Sequence, residues 1–180
     1  MIIRRARFNS YFWLALLSAT VFAGCQTEQG AKSKQIASLR VHLQATDDRL
    51  KHSTAAVYRA APINIPIEAS PFLTELNVAD AKVVESHGVL AMVIQFERKG
   101  TLLLENYTST HPGRHFAIFS QYGEKSELTR WLAAPVIHAR ITDGLLSFTP
   151  DATREECEQI ALGLRNFARK EGNQPKASKE

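Results

Sequence analysis

Three observations predict an α+β domain in this chain: strand-like alternation near its start, a hairpin signature in its middle, and an amphipathic helix near its end. The expected architecture is a mostly antiparallel sheet with two main helices packed on one face. Leu39, Val41, Leu43 and Ala45 alternate with Arg40, His42 and Gln44, the period of a half-buried strand. After a polar loop opened by Asp47-Asp48, Ile63, Ile65 and Ile67 alternate with Asn64, Pro66 and Glu68. Pro66 has no N–H for a ladder, so this second strand is expected at an edge or to be irregular.

Ser70-Pro71 breaks the chain, and a short helical turn is expected over 77–81. Segments 82–86 and 90–97 read as a hairpin across His87-Gly88. Leu90-Ala91-Met92-Val93-Ile94 is apolar on both faces, as for a central strand. A helix follows over 98–110, with Leu103, Leu104 and Tyr107 turned to the core, and His111-Pro112-Gly113 stops it. Strands are expected over 115–119 and over 131–141, the second interrupted by Pro135. Asp143-Gly144 marks a turn before Leu145 to Phe148. Thr153 and Glu156 fit a capping box. Cys157, Ile160, Ala161, Leu164, Phe167 and Ala168 then recur at helical spacing, so the last helix carries a wide apolar stripe. Gly172 and Pro175 end it.

Ahead of these elements lies a different kind of segment. Arg4, Arg5 and Arg7 precede an apolar run of 13 residues from Tyr11 to Ala23, and Ala23-Gly24 precede Cys25. This is the layout of a secretory signal, and the run is shorter than the about 20 residues that a spanning helix needs. The small-small-Cys ending resembles the bacterial lipobox, which implies cleavage before a diacylated Cys25. Residues 1–24 are thus expected to be a lipoprotein signal peptide, 25–37 a flexible tether, 38–170 the α+β domain and 171–180 a disordered tail. Gln26 after the lipidated Cys favours the outer membrane, by resemblance to enterobacterial sorting.

The 22 basic and 18 acidic residues give a net charge of +4. Three basic residues leave with the signal, so the remainder holds 19 basic against 18 acidic residues. That near-neutral balance lacks the electrostatic footprint of a nucleic-acid binder. With Cys25 acylated, Cys157 has no partner in its own chain, so no internal disulfide is expected.

Chemistry-bearing residues are few. The six histidines are His42, His52, His87, His111, His115 and His138. His111 and His115 straddle Pro112-Gly113 and so do not share a helix face; turn or surface positions are expected for the histidines, a sheet face for His138, and no metal. Glu155, Glu156 and Glu158 crowd the first turns of the last helix, where they complement its dipole. Cys157 lies on the apolar stripe and is expected to be a buried small hydrophobe. A nucleophile elbow, a phosphate-binding loop and a dinucleotide fingerprint are lacking. The expectation is a protein without enzymatic activity or cofactor.

A family resemblance adds to this reading. GRHFAIF at 113–119, LAAPVIHARITDG at 132–144 and FTPDATREECEQIALGLRNFARK at 148–170 follow, in order and spacing, the head subdomain of the first periplasmic domain of SecD and SecDF. PFLTELNVADAKVVES at 71–86 is similar to the segment leading into that family's sheet. The resemblance implies the fold and a capacity to hold protein segments, and it brings no catalytic residues. SecD drives export through a membrane domain with a proton relay; no spanning helix is read here, so energy transduction is not carried over. The implied protein is an extracytoplasmic, lipid-anchored module with a protein or polypeptide partner. A structural envelope lipoprotein is the alternative, and a small hydrolase a weaker one.

Overall fold

The computed structural model describes residues 35–46, 53–57, 62–86, 88–123 and 126–173. Among the described residues nine strands form three antiparallel ladders, with two α-helices beside them. The first ladder has the order β4-β1-β7-β8, with β1 Ser38–Leu43, β4 Leu73–Thr74, β7 Phe116–Tyr122 and β8 Leu128–Ala133. The second pairs β2 Ser53–Val57 with β3 Ile63–Ile67. The third has the order β5-β6-β9, with β5 Val78–Ser86, β6 Val89–Phe96 and β9 Leu145–Phe148. Helix α1 spans Arg98–Thr110 and α2 spans Arg154–Glu171.

The α+β class is as the sequence predicts, but the strands divide among separate ladders. One core joins two of them to both helices. Leu39, Val41 and Leu43 of β1, Ile118 of β7, Met92 and Ile94 of β6, Leu104 of α1 and Ile160 and Leu164 of α2 all lie in it, essentially without solvent contact. Alternation thus places the inward residues of β1 correctly. It does not reveal that the outward face is covered as well: Ile65 and Ile67 of β3 pack on Ala117 and Ala134, with Trp131 beside them.

The β2-β3 ribbon is tied to β1 at one end. Ala45 N–H donates to the Pro66 carbonyl at 2.9 Å, and Glu68 N–H donates to the Leu43 carbonyl at 2.9 Å. The Pro66 carbonyl therefore faces β1, and so does its missing N–H, away from the Thr54 partner in β2. Pro66 sits where the ladder with β2 needs no donor.

Three expectations are corrected. The helical turn falls at Glu75–Asn77, and 78–81 already belongs to β5, where a register shift between Val78 and Asp80 breaks the alternation. The strand expected over 131–141 ends at Ala133; Pro135 interrupts the ladder, and beyond it the chain keeps a single bridge, Val136 to His115. His138 is accordingly exposed and in no strand.

Both helices are capped, α2 as expected and α1 by a residue that the sequence reading does not single out. Glu97 accepts from the N–H groups of Lys99 and Gly100 at 2.7 and 2.8 Å. Thr153 and Glu156 form the reciprocal capping box, and Gly172 closes α2 in the left-handed conformation at φ 77°. Among the described residues no helix is long and apolar enough to cross a membrane.

Candidate functional surface

The titratable residues do not converge. Cys25, His52 and His87 lie outside the described residues. His111 Nδ1 lies 2.8 Å from Thr110 Oγ1 at the end of α1, whereas His115 donates from Nδ1 to the Ala134 carbonyl at 2.8 Å. Among the described residues no group of three His, Cys, Asp or Glu could hold a metal ion.

His42 departs from the expected surface position. The β3 ribbon and Trp131 bury it, its Nδ1 donates to the Glu68 carbonyl at 2.8 Å, and its ring stands edge-on to Trp131 with centroids 5.8 Å apart. Burial holds its pKa below the usual 6.5, although the bond to Glu68 opposes the shift. This imidazole is fixed between backbone and indole.

Cys157 is fully buried on the α2 stripe. Desolvation first, then the charges of Glu156 and Glu158, push its thiol up to about 11. A protonated, inaccessible thiol is a packing group and not a nucleophile. Glu156 does more than complement the helix dipole. It accepts from Arg130 Nη2 at 2.6 Å and from the Tyr122 hydroxyl at 3.0 Å, tying α2 to β7 and β8.

The surface that stands out is the outward face of the third ladder. Register places Val84 opposite Ala91, Ser86 opposite Val89, Lys82 opposite Val93 and Gln95 opposite Leu145. Alternate residues of a strand share a face, so Val84, Val89, Ala91, Val93 and Leu145 lie on one face, with Lys82, Gln95 and Ser147 among them. Val89 is 53% exposed, and Val84 and Leu145 are each 40% exposed. The opposite face, with Met92, Ile94, Leu146 and Phe148, is in the core. The run at 90–94 is apolar on both faces because one is core and the other meets solvent. β6 is indeed the central strand, but the sequence signal for double burial overstates the cover on its second face. Exposed apolar residues gathered on one face mark a place for another molecule more often than scattered ones do.

The surface lies on a fold seen before. A family model described as SecDF, P1 head subdomain, matches residues 44–168. Among solved structures, SecDF in a super-membrane-facing form is similar at 23% identity and a TM-score of 0.54, over 78% of this chain and 21% of that one. A second, described as a membrane component SecDF that enhances protein export, is similar at 18% identity and a TM-score of 0.52, over 91% of this chain and 72% of that one. The chain thus spans about a fifth of the first SecDF chain. No curated protein matches it. At these identities the solved structures speak for the fold, while the family match covers most of the domain, from just after β1 to the last turn of α2. The chain belongs to the SecDF P1 head subdomain family.

Proposed function

We propose that this protein is an extracytoplasmic, lipid-anchored module that holds segments of polypeptide, in the service of protein export or envelope biogenesis. The family match over residues 44–168 carries the reading, and a SecDF that resembles this chain is described as enhancing protein export. The exposed face of Val84, Val89 and Leu145 supports it, since apolar side chains of an unfolded segment gain by leaving water there. Anchorage is assigned to Cys25, with the outer membrane as its site. Catalysis has no part in the reading. A structural lipoprotein without a ligand is the second reading.

Crosslinking in the native envelope, followed by identification of the captured proteins, tests the proposal. Precursors caught before folding, or export components, are the expected partners. Capture of folded envelope residents alone would replace the proposal with the structural reading.

A further inference from the structure

The ladders of this domain have outer edges, and an unpaired strand edge is a template for another strand. Most of these edges are occupied. On β1, Leu39 N–H donates to Glu75 Oε2 at 3.1 Å, beside the pairing with β4. On β8, the Leu132 carbonyl accepts from Asp151 N–H at 2.6 Å, and the Asp151 carbonyl in turn accepts from Arg130 Nη1 at 3.2 Å. On β5 the backbone groups of Ala81, Val83 and Glu85 turn outward, and both of those on Ala81 are taken. Its N–H donates to Asp80 Oδ1 at 2.9 Å, and its carbonyl accepts from Arg165 Nη1 at 2.6 Å. Helix α2 runs beside β5, with Arg154 paired to Glu85 at one end and Asn173 bonded to the Leu76 carbonyl at the other.

β9 differs. Phe96 N–H donates to the Gly144 carbonyl at 2.9 Å, which fixes the phase of the β6–β9 ladder. Bonded pairs then fall at Ile94–Leu146 and Met92–Phe148, and the pairs Gln95–Leu145 and Val93–Ser147 turn their backbone groups away from β6. The contact from Leu145 N–H to Asp143 Oδ1 at 3.0 Å agrees with that phase. Outward from β9 there remain the Leu145 carbonyl and both backbone groups of Ser147, which have no protein partner among the described residues. Ser147 is exposed and shares its face with Leu145 and Val93.

We propose that the outer edge of β9, centred on Ser147, is where an extended polypeptide adds as a fourth strand of the third ladder. Unpaired N–H and C=O groups ask for a backbone as their partner, which sets the chemistry of the occupant. Residues paired with Leu145 and Ser147 would project onto the side that carries Val93 and Ala91, so alternate apolar side chains are selected. This rests on the reading that the domain holds polypeptide, and names the strand that does so.

Ser147→Pro deletes the outward N–H while leaving the bonds to β6 intact, since Ser147 makes none. Leu145→Lys places a charge on the adjoining face, and Leu102→Lys, on exposed α1 surface, is the control. The full chain in vesicles of phosphatidylethanolamine and phosphatidylglycerol is mixed with labelled, reduced and carboxymethylated α-lactalbumin, and the fraction that floats with the vesicles is read. Ser147→Pro and Leu145→Lys are each expected to weaken retention about tenfold, with Leu102→Lys unchanged. Should Ser147→Pro fail to fold by circular dichroism, Leu145→Lys decides. Equal retention by the wild type and both variants would overturn the β9 site and leave the polypeptide reading standing. No retention by the wild type would overturn both. A chain-to-chain crosslink lost in Ser147→Pro, with retention intact, would give β9 to a second copy of the chain and overturn the proposal.

Discussion

His42 shows how one side chain couples stability to pH. Its Nδ1 must carry the proton, because its partner is the Glu68 carbonyl, which can only accept. Burial favours the neutral ring, so the folded pKa lies below the 6.5 of the unfolded chain. Between those two values the unfolded state binds more protons than the folded one. Stability therefore falls as pH drops from about 6.5 towards the folded pKa, and this contribution is flat below it. Urea unfolding midpoints measured at pH 7.5 and pH 5 should show a larger loss for the wild type than for His42→Asn, which keeps a donor near Nδ1 and does not titrate. Equal losses would mean that His42 protonates without cost. The sequence displays His42 as a polar alternate of β1; the cover over it comes from a ribbon more than 20 residues away, and alternation is blind to such cover.

Among the elements, legibility follows periodicity. Helix α2 is readable to its caps because its apolar residues repeat from Cys157 to Ala168 and its cap residues are diagnostic. Its orientation has a direct check. Leu164 is fully buried, while Gln159 is exposed on the same helix. Leu164→Ala is expected to cost about 2–5 kcal/mol and Gln159→Ala little, by chemical denaturation. β2 escapes the reading because Ser-Thr-Ala-Ala-Val is a run of small residues without alternation. The start of β5 escapes it because the register shift at Ala79 puts consecutive apolar residues on the inside.

At the scale of the whole molecule, the α+β class and the family emerge from the sequence, and the division into three ladders does not. Which strands pair depends on long-range contacts, such as β1 between β4 and β7, and a local pattern carries no information about them. The exposed face of the third ladder is hidden for the same reason: Val84, Val89 and Leu145 come from three strands and share a face only in the ladder. On the proposed reading, attachment of the whole molecule rests on Cys25. Cys25→Ser is expected to abolish incorporation of labelled palmitate and to release the protein from membranes. Unchanged labelling would place the lipid elsewhere or remove it from the account.

Where the tether enters the domain, the fold is closely built. Ala37 is fully buried, and a Cβ added to Gly163 of α2 would lie 2.6 Å from the Ala37 nitrogen. Asn166 donates to the Gln35 carbonyl at 2.9 Å, one helical turn further on. The next residues are β1, which has ladder partners on both sides. A pull on the chain ahead of Gln35 is thus delivered to the helix with the widest buried stripe and to a strand in the interior of its sheet. All six residues of β1 pair with β7, and Arg40 and Val41 pair with β4 as well, so a pull on β1 bears on both ladders. The twelve residues from Cys25 to Ile36 reach at most about 40 Å when drawn straight. On the proposed reading, in which Cys25 is anchored and the domain holds polypeptide, tension would enter the fold at this closely packed point.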